Sequence, residues 1–240
     1  CEKRHCKEVH SNCDPIPASG KIKASANTMY NTMKNTYPDG PETFAFSDFE
    51  NLLRTNGHNE NSIGLSYYSD EEVYRLRELK TGNSPTSVKV TIFTTTVATI
   101  HNHPNGTPPS GIDFLNTAKW VSDNNVYSTT YVYTTNGNYA LYIEDVQKAK
   151  LFYSKYSNCL SDTETKMFKA ESDLDKKWES IYKELKGLSD TDRHMMSLAE
   201  LAEQTNSGIR ILKSEPSSSN SFGLYYTQTI DDKIIPYNCK

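Results

Sequence analysis

No stretch of this 240-residue chain holds the roughly 20 consecutive apolar residues that a membrane-spanning helix needs. Apolar residues make up only 35% of it, and the mean hydropathy of -0.70 is polar for a folded protein. Excess positive charge is also missing. A net charge of -4 and a pI near 5.9 leave no electrostatic footprint for nucleic acid. No internal repeat is evident. What is present argues against disorder: sixteen tyrosines and segments rich in Val, Ile and Thr can build a core, and the length suits one generous domain or two small ones.

The first residue is cysteine rather than methionine, and a polar stretch follows it. Bacterial lipoproteins are cut just before a cysteine that then carries lipid, so the expectation is a chain tethered to the cell envelope through Cys1 and soluble apart from that anchor. Cys6, Cys13, Cys159 and Cys239 would then remain for two disulfides in an oxidising compartment. The alternative is an arbitrary chain start with free thiols. His5, Cys6, His10 and Cys13 form a rival metal cluster, but their spacing is not that of a zinc finger, and a short Cys6–Cys13 loop explains them better.

Helical spacing runs from Lys21 to Tyr37, ending at Pro38-Asp39-Gly40. Ser47 and Glu50 read as a capping box for a second, short helix. Strands follow at 63–68, 73–79 and 88–100, the last delivering His101 and His103. A helix is expected beyond Ser110, then a hairpin about Asn136-Gly137, with strands at 127–134 and 139–144. Helices at 146–156, 164–185 and 195–203 precede short strands at 209–212, 222–226 and 234–237. The fold class is α+β, a mixed β-sheet flanked by helices.

The run from Thr99 to Phe114 reads T-I-H-N-H-P-N-G-T-P-P-S-G-I-D-F. On an extended backbone residues i and i+2 face the same way, so His101 and His103 can offer both imidazoles to one ion. A loop stiffened by Pro104, Pro108 and Pro109 and turned at Gly106 can return the next helix start beside the strand end, where Asp113 supplies a third ligand. Two nitrogens and a carboxylate suit Zn2+ and leave a position open. Ser110 and Asp113 also make a good N-cap and N3 pair that needs no metal.

The run His101-Asn102-His103-Pro104, the glycine/proline loop and Ser110-Gly111-Ile112-Asp113 resemble the metal motif of the JAB/MPN (JAMM) metalloprotease superfamily. The resemblance implies a cytidine-deaminase-like core and zinc held by His101, His103 and Asp113. It further implies Ser110 at the oxyanion and an upstream glutamate as general base on the zinc water. Glu60, opening the strand at 63–68, fits that glutamate best; Glu42, Glu50, Glu71, Glu72 and Glu78 are the other candidates. Nine residues separate His103 from Asp113, one fewer than in the family's common eukaryotic pattern.

The implied organisation is a tether over 1–20, a JAB/MPN-like metal-binding domain over 21–160 and a helical and short-strand extension over 161–240 packed on the same domain. The implied activity is zinc-dependent hydrolysis of an amide or isopeptide bond in a peptide or protein substrate at the bacterial envelope. A non-catalytic binding or structural lipoprotein with the same fold is the alternative. An HNH nuclease is disfavoured, because that motif spreads over a ββα unit and the chain is acidic.

Overall fold

The computed structural model describes residues 19–36, 45–55, 58–161, 167–214, 221–230 and 233–239. In chain order the elements are α1 (Ser19–Asn35), α2 (Phe46–Thr55), β1 (Asn61–Tyr68), β2 (Val73–Thr81), β3 (Thr96–Asn102), α3 (Gly111–Asp123), β4 (Thr129–Thr134) and β5 (Gly137–Ile143). There follow α4 (Val146–Tyr156), a 3-10 turn (Ser157–Cys159), α5 (Asp173–Glu184), α6 (Asp190–Gln204), β6 (Ile209–Ser214), β7 (Phe222–Ile230) and β8 (Lys233–Cys239). The eight strands form one mixed sheet in the order β2-β1-β3-β4-β5-β6-β7-β8. Among the described strands only β3 and β4 pair in parallel, since a parallel partner requires a crossover and α3 supplies it.

Alternation along the strands divides the side chains between two apolar layers. On β5, Tyr139, Leu141 and Ile143 face one layer with α3, α4, α5 and α6. Ala140 faces the other, with Ile63, Leu65, Ile100, Tyr131 and Leu212, covered by Tyr30 and Met33 of α1 and Phe46 and Phe49 of α2. Each Leu, Ile or Phe fully buried in these layers contributes about 1.5–3 kcal/mol relative to exposure. Strands β6 to β8 continue the sheet directly from β5. The α+β class expected from the sequence is the one observed. No helix among the described residues is long and apolar enough to cross a membrane.

Four local expectations need correction. Val88 to Ile100 is not one strand: Thr96 N–H bonds to Phe93 O and Phe93 N–H to the Thr96 hydroxyl, a turn that starts β3 only at Thr96 and leaves 88–92 outside the sheet. Helix α5 begins at Asp173, capped by Ser172, because Glu171 takes a positive φ of 62° and Phe168 is drawn down into the core. Ser47 lies inside α2 rather than capping it. There Asp48 accepts from the Ala45 N–H at 2.6 Å, and Phe46 and Phe49 are buried together. Cys159 is a buried free thiol, so it forms neither of the expected disulfides. Cys1, Cys6, Cys13, His5, His10 and Glu42 lie outside the described residues.

Candidate metal centre

The parallel pair creates the site. β3 lies between antiparallel β1 on one side and parallel β4 on the other, and a cleft opens beyond its carboxyl end. β3 delivers His101, and His103 continues its path because its N–H bonds to Tyr133 O at 2.9 Å. Helix α3 is fixed beneath by a hydroxyl chain. Thr99 Oγ1 meets Tyr127 Oη at 2.7 Å, Tyr127 Oη meets Thr130 Oγ1 at 2.8 Å, and Thr130 meets Thr117 Oγ1 at 2.6 Å. Thr117 Oγ1 then donates to Asp113 O at 2.8 Å.

The expected capping box is present. Asp113 N–H donates to Ser110 Oγ at 3.2 Å, while Ser110 N–H and Ser110 Oγ donate to Asp113 Oδ2 at 2.7 and 2.8 Å. This leaves Asp113 Oδ1 facing His101 Nε2 at 3.1 Å. The first turn of α3 lies so close to the segment before α5 that a Cβ on Gly111 would come within 1.6 Å of Met167 O, and only glycine fits there.

The imidazoles converge. His101 Nε2 and His103 Nε2 are 3.2 Å apart, and His103 Nε2 is 3.5 Å from Asp113 Oδ2. His103 Nδ1 faces the carbonyl of Thr107 at 3.0 Å, so Nδ1 carries the proton and the Nε2 lone pair points into the site. Ligands about 2.0–2.1 Å from a tetrahedral zinc lie about 3.3–3.4 Å from one another, close to the 3.2 Å between the two imidazoles and the 3.1 Å from His101 to Asp113 Oδ1. His101, His103 and Asp113 are all buried and could hold a metal ion.

Electrostatics fit a cation. Burial pushes the Asp113 carboxyl upward, but His101, His103 and the Ser110 N–H outweigh it and hold the group well below the usual carboxylate range. Burial likewise works against charge on His101, yet the Asp113 carboxylate and, more weakly, Glu60 raise its pKa above the ordinary value. For His103 burial prevails, and its pKa lies below the ordinary value.

Glu60 lies just before β1, buried, with Oε1 3.8 Å from His103 Nε2. Its N–H bonds to Ser84 O, and its carbonyl accepts from Gly82. A Cβ on Gly82 would meet Ser87 O at 2.3 Å, so this clasp also depends on glycine. None of the other described candidates lines the cleft: Glu71 pairs with Arg75, Glu78 with Lys80, Glu72 is exposed in the turn before β2, and Glu50 lies on α2. Glu60, His101, His103, Ser110 and Asp113 share a cleft of about 690 Å³.

The cleft has three further walls, built by segments distant in sequence from the metal loop or facing it from α3. One is the extended segment carrying Ser87, Val88 and Val90; another is Asn116, Lys119 and Trp120 of α3. The third comes from the C-terminal helices: Trp178 and Tyr182 of α5 and His194 of α6. His194 Nε2 donates to Pro109 O at 2.8 Å, and burial keeps its pKa below the ordinary value. Its one sequence signal was a histidine in the first half of an amphipathic helix, which is ordinary. Neither protein-family models nor curated proteins give a match to the chain.

Proposed function

We propose that this chain is a zinc-dependent metallopeptidase, hydrolysing an amide or isopeptide bond of a peptide or protein substrate on a core like that of JAB/MPN proteins. The carrying observation is the convergence of His101, His103 and Asp113, one ligand atom of each within 4.8 Å of the others, in the same cleft as a fourth buried group, Glu60. Zinc bound there would supply a Lewis acid for the scissile carbonyl and bring the pKa of water at its open position to about 7.

The protein's own groups do the rest. Glu60 takes the proton of the attacking water and passes it to the leaving amine, a role worth roughly 100- to 10,000-fold in rate. The buried carboxylate of Asp113 is kept ionised against burial chiefly by His101 and His103 and is oriented by Ser110, and His103 is kept in its Nδ1–H tautomer by Thr107. Service of Ser110 at the oxyanion requires its hydroxyl to rotate off Asp113 Oδ2, the Ser110 N–H retaining the carboxylate. That engaged hydroxyl is also the observation favouring the second reading, a metal-binding protein without turnover.

The test is release of new amines from peptide and isopeptide substrates by zinc-loaded protein, compared with Glu60→Gln. Hydrolysis lost in the variant supports the peptidase. No hydrolysis by the zinc-loaded wild type, or equal hydrolysis by both, overturns it.

A further inference from the structure

We infer that His194 is a positioning residue for the metal centre: by holding the Pro109 carbonyl it aims the Ser110 N–H, and so sets which carboxylate oxygen Asp113 presents. This rests on the metal-centre part of the reading above, not on its hydrolytic part.

Pro104, Pro108 and Pro109 have no N–H, so the loop cannot tie itself down by donating from those positions. Within the loop, the Gly106 N–H reaches His103 O at 3.0 Å. At its far end, the Pro109 carbonyl is secured from outside, by His194 Nε2 at 2.8 Å.

That carbonyl belongs to the same planar peptide unit as the Ser110 N–H, and in a trans peptide the two point in opposite directions. Fixing one therefore fixes the other. The Ser110 N–H donates to Asp113 Oδ2 at 2.7 Å, occupying that oxygen and leaving Oδ1 toward His101 at 3.1 Å. The imidazole of His194 thus acts on Asp113 through one rigid peptide plane and one hydrogen bond.

His194 is itself held in place. Its ring meets Trp178 edge-on at 5.1 Å, Trp178 stacks on Tyr182 at 5.6 Å and 26°, and the Arg193 guanidinium covers Tyr182 at 3.7 Å. Arg193 Nε also donates to Tyr182 O at 2.6 Å, closing α5 against α6. A donor locked by such a stack has little rotamer freedom to lose, which is what a preorganised supporting group needs. The C-terminal helices thereby become part of the metal centre rather than an appendage beside it.

Two variants separate the N–H from the ring. His194→Gln keeps an N–H at the Nε2 position and loses the ring, whereas His194→Phe keeps the ring and its contact with Trp178 but loses the donor. Cobalt affinity by chelator competition and the visible cobalt absorption bands are read for the full chain and both variants, with thermal unfolding of each metal-free protein alongside. The expected result is His194→Gln near wild type, with His194→Phe weakened about tenfold and its cobalt bands displaced, the lower end for loss of a supporting hydrogen bond at a metal site. Wild-type affinity and spectrum in His194→Phe, or equal losses in both variants, overturns the inference. A wild type that binds no cobalt overturns it together with the metal centre. If cobalt affinities follow the expected order but no peptide is cut, the inference stands and the peptidase reading falls.

Discussion

Asn102 Oδ1 accepts the backbone N–H of Asn61 at 2.6 Å, and Asn102 Nδ2 donates to Asn59 O at 3.2 Å. The middle residue of the His-Asn-His run thus faces away from the two histidines and clamps the chain on both sides of Glu60. Pairing of Ser62 with His101 in the β1–β3 ladder sets the register that brings Glu60 opposite His103. Asn102→Ala leaves the buried Asn61 N–H unpaired and should cost about 1–3 kcal/mol of stability. With Glu60 released, kcat should fall at least about tenfold while zinc stoichiometry is kept, because misplacing a catalytic group by about 1 Å can cost up to 100-fold. Metal analysis and steady-state kinetics on the same preparation check both halves.

Glu60→Gln preserves size and the surrounding backbone bonds but cannot accept a proton. The rate should drop about 100- to 10,000-fold with metal still bound. Loss of zinc from this variant would mean that Glu60 serves as a ligand instead.

Gly111→Ala tests the close approach between α3 and the segment before α5. Its new methyl would lie 1.6 Å from the Met167 carbonyl oxygen, so backbone must move. Destabilisation of about 3 kcal/mol or more is expected, at the upper end for overpacking. Because the displaced turn carries Ser110 and Asp113, metal affinity should fall with it. Chemical denaturation and metal competition are the measurements.

Near pH 6.5 the proton released on metal binding should come chiefly from His101 rather than from His103. Burial holds His103 below its ordinary pKa and favours its neutral form, whereas on His101 burial opposes charge but is outweighed by the Asp113 carboxylate and, more weakly, Glu60, so that its protonated form is favoured. In the metal-free protein the raised pKa of His101 contributes stability that is complete below its unfolded value of 6.5 and lost as pH rises through the folded value. The metal competes with that proton, so affinity should rise about tenfold per pH unit until His101 is deprotonated. Calorimetric titration in buffers of different ionisation enthalpy counts the protons.

Much of this centre was legible because it is local. The i, i+2 spacing of His101 and His103, the prolines of the loop and the Ser110–Asp113 cap each follow from short-range rules, and the structure brings those residues together. Glu60 was harder, since its place depends on strand pairing and on clasps at Gly82, Ser84 and Asn102. The element order is legible where apolar period and a cap agree, as in α3. It is not legible where tertiary contacts override a continuous pattern: the turn at Phe93–Thr96 cuts a β-rich run short, and the burial of Phe168 keeps residues 167–172 out of the helix. The contribution of His194, Trp178 and Tyr182 was invisible in sequence because it arises when α5 and α6 pack over the metal loop.

The central claim is that His101, His103 and Asp113 together hold one metal ion. Zinc titration of the purified chain, with His103→Ala and Asp113→Asn in parallel and bound metal measured after exhaustive dialysis, tests it most directly. One equivalent retained by the wild type and close to none by either variant is the predicted result; equal zinc retention by all three proteins would contradict it.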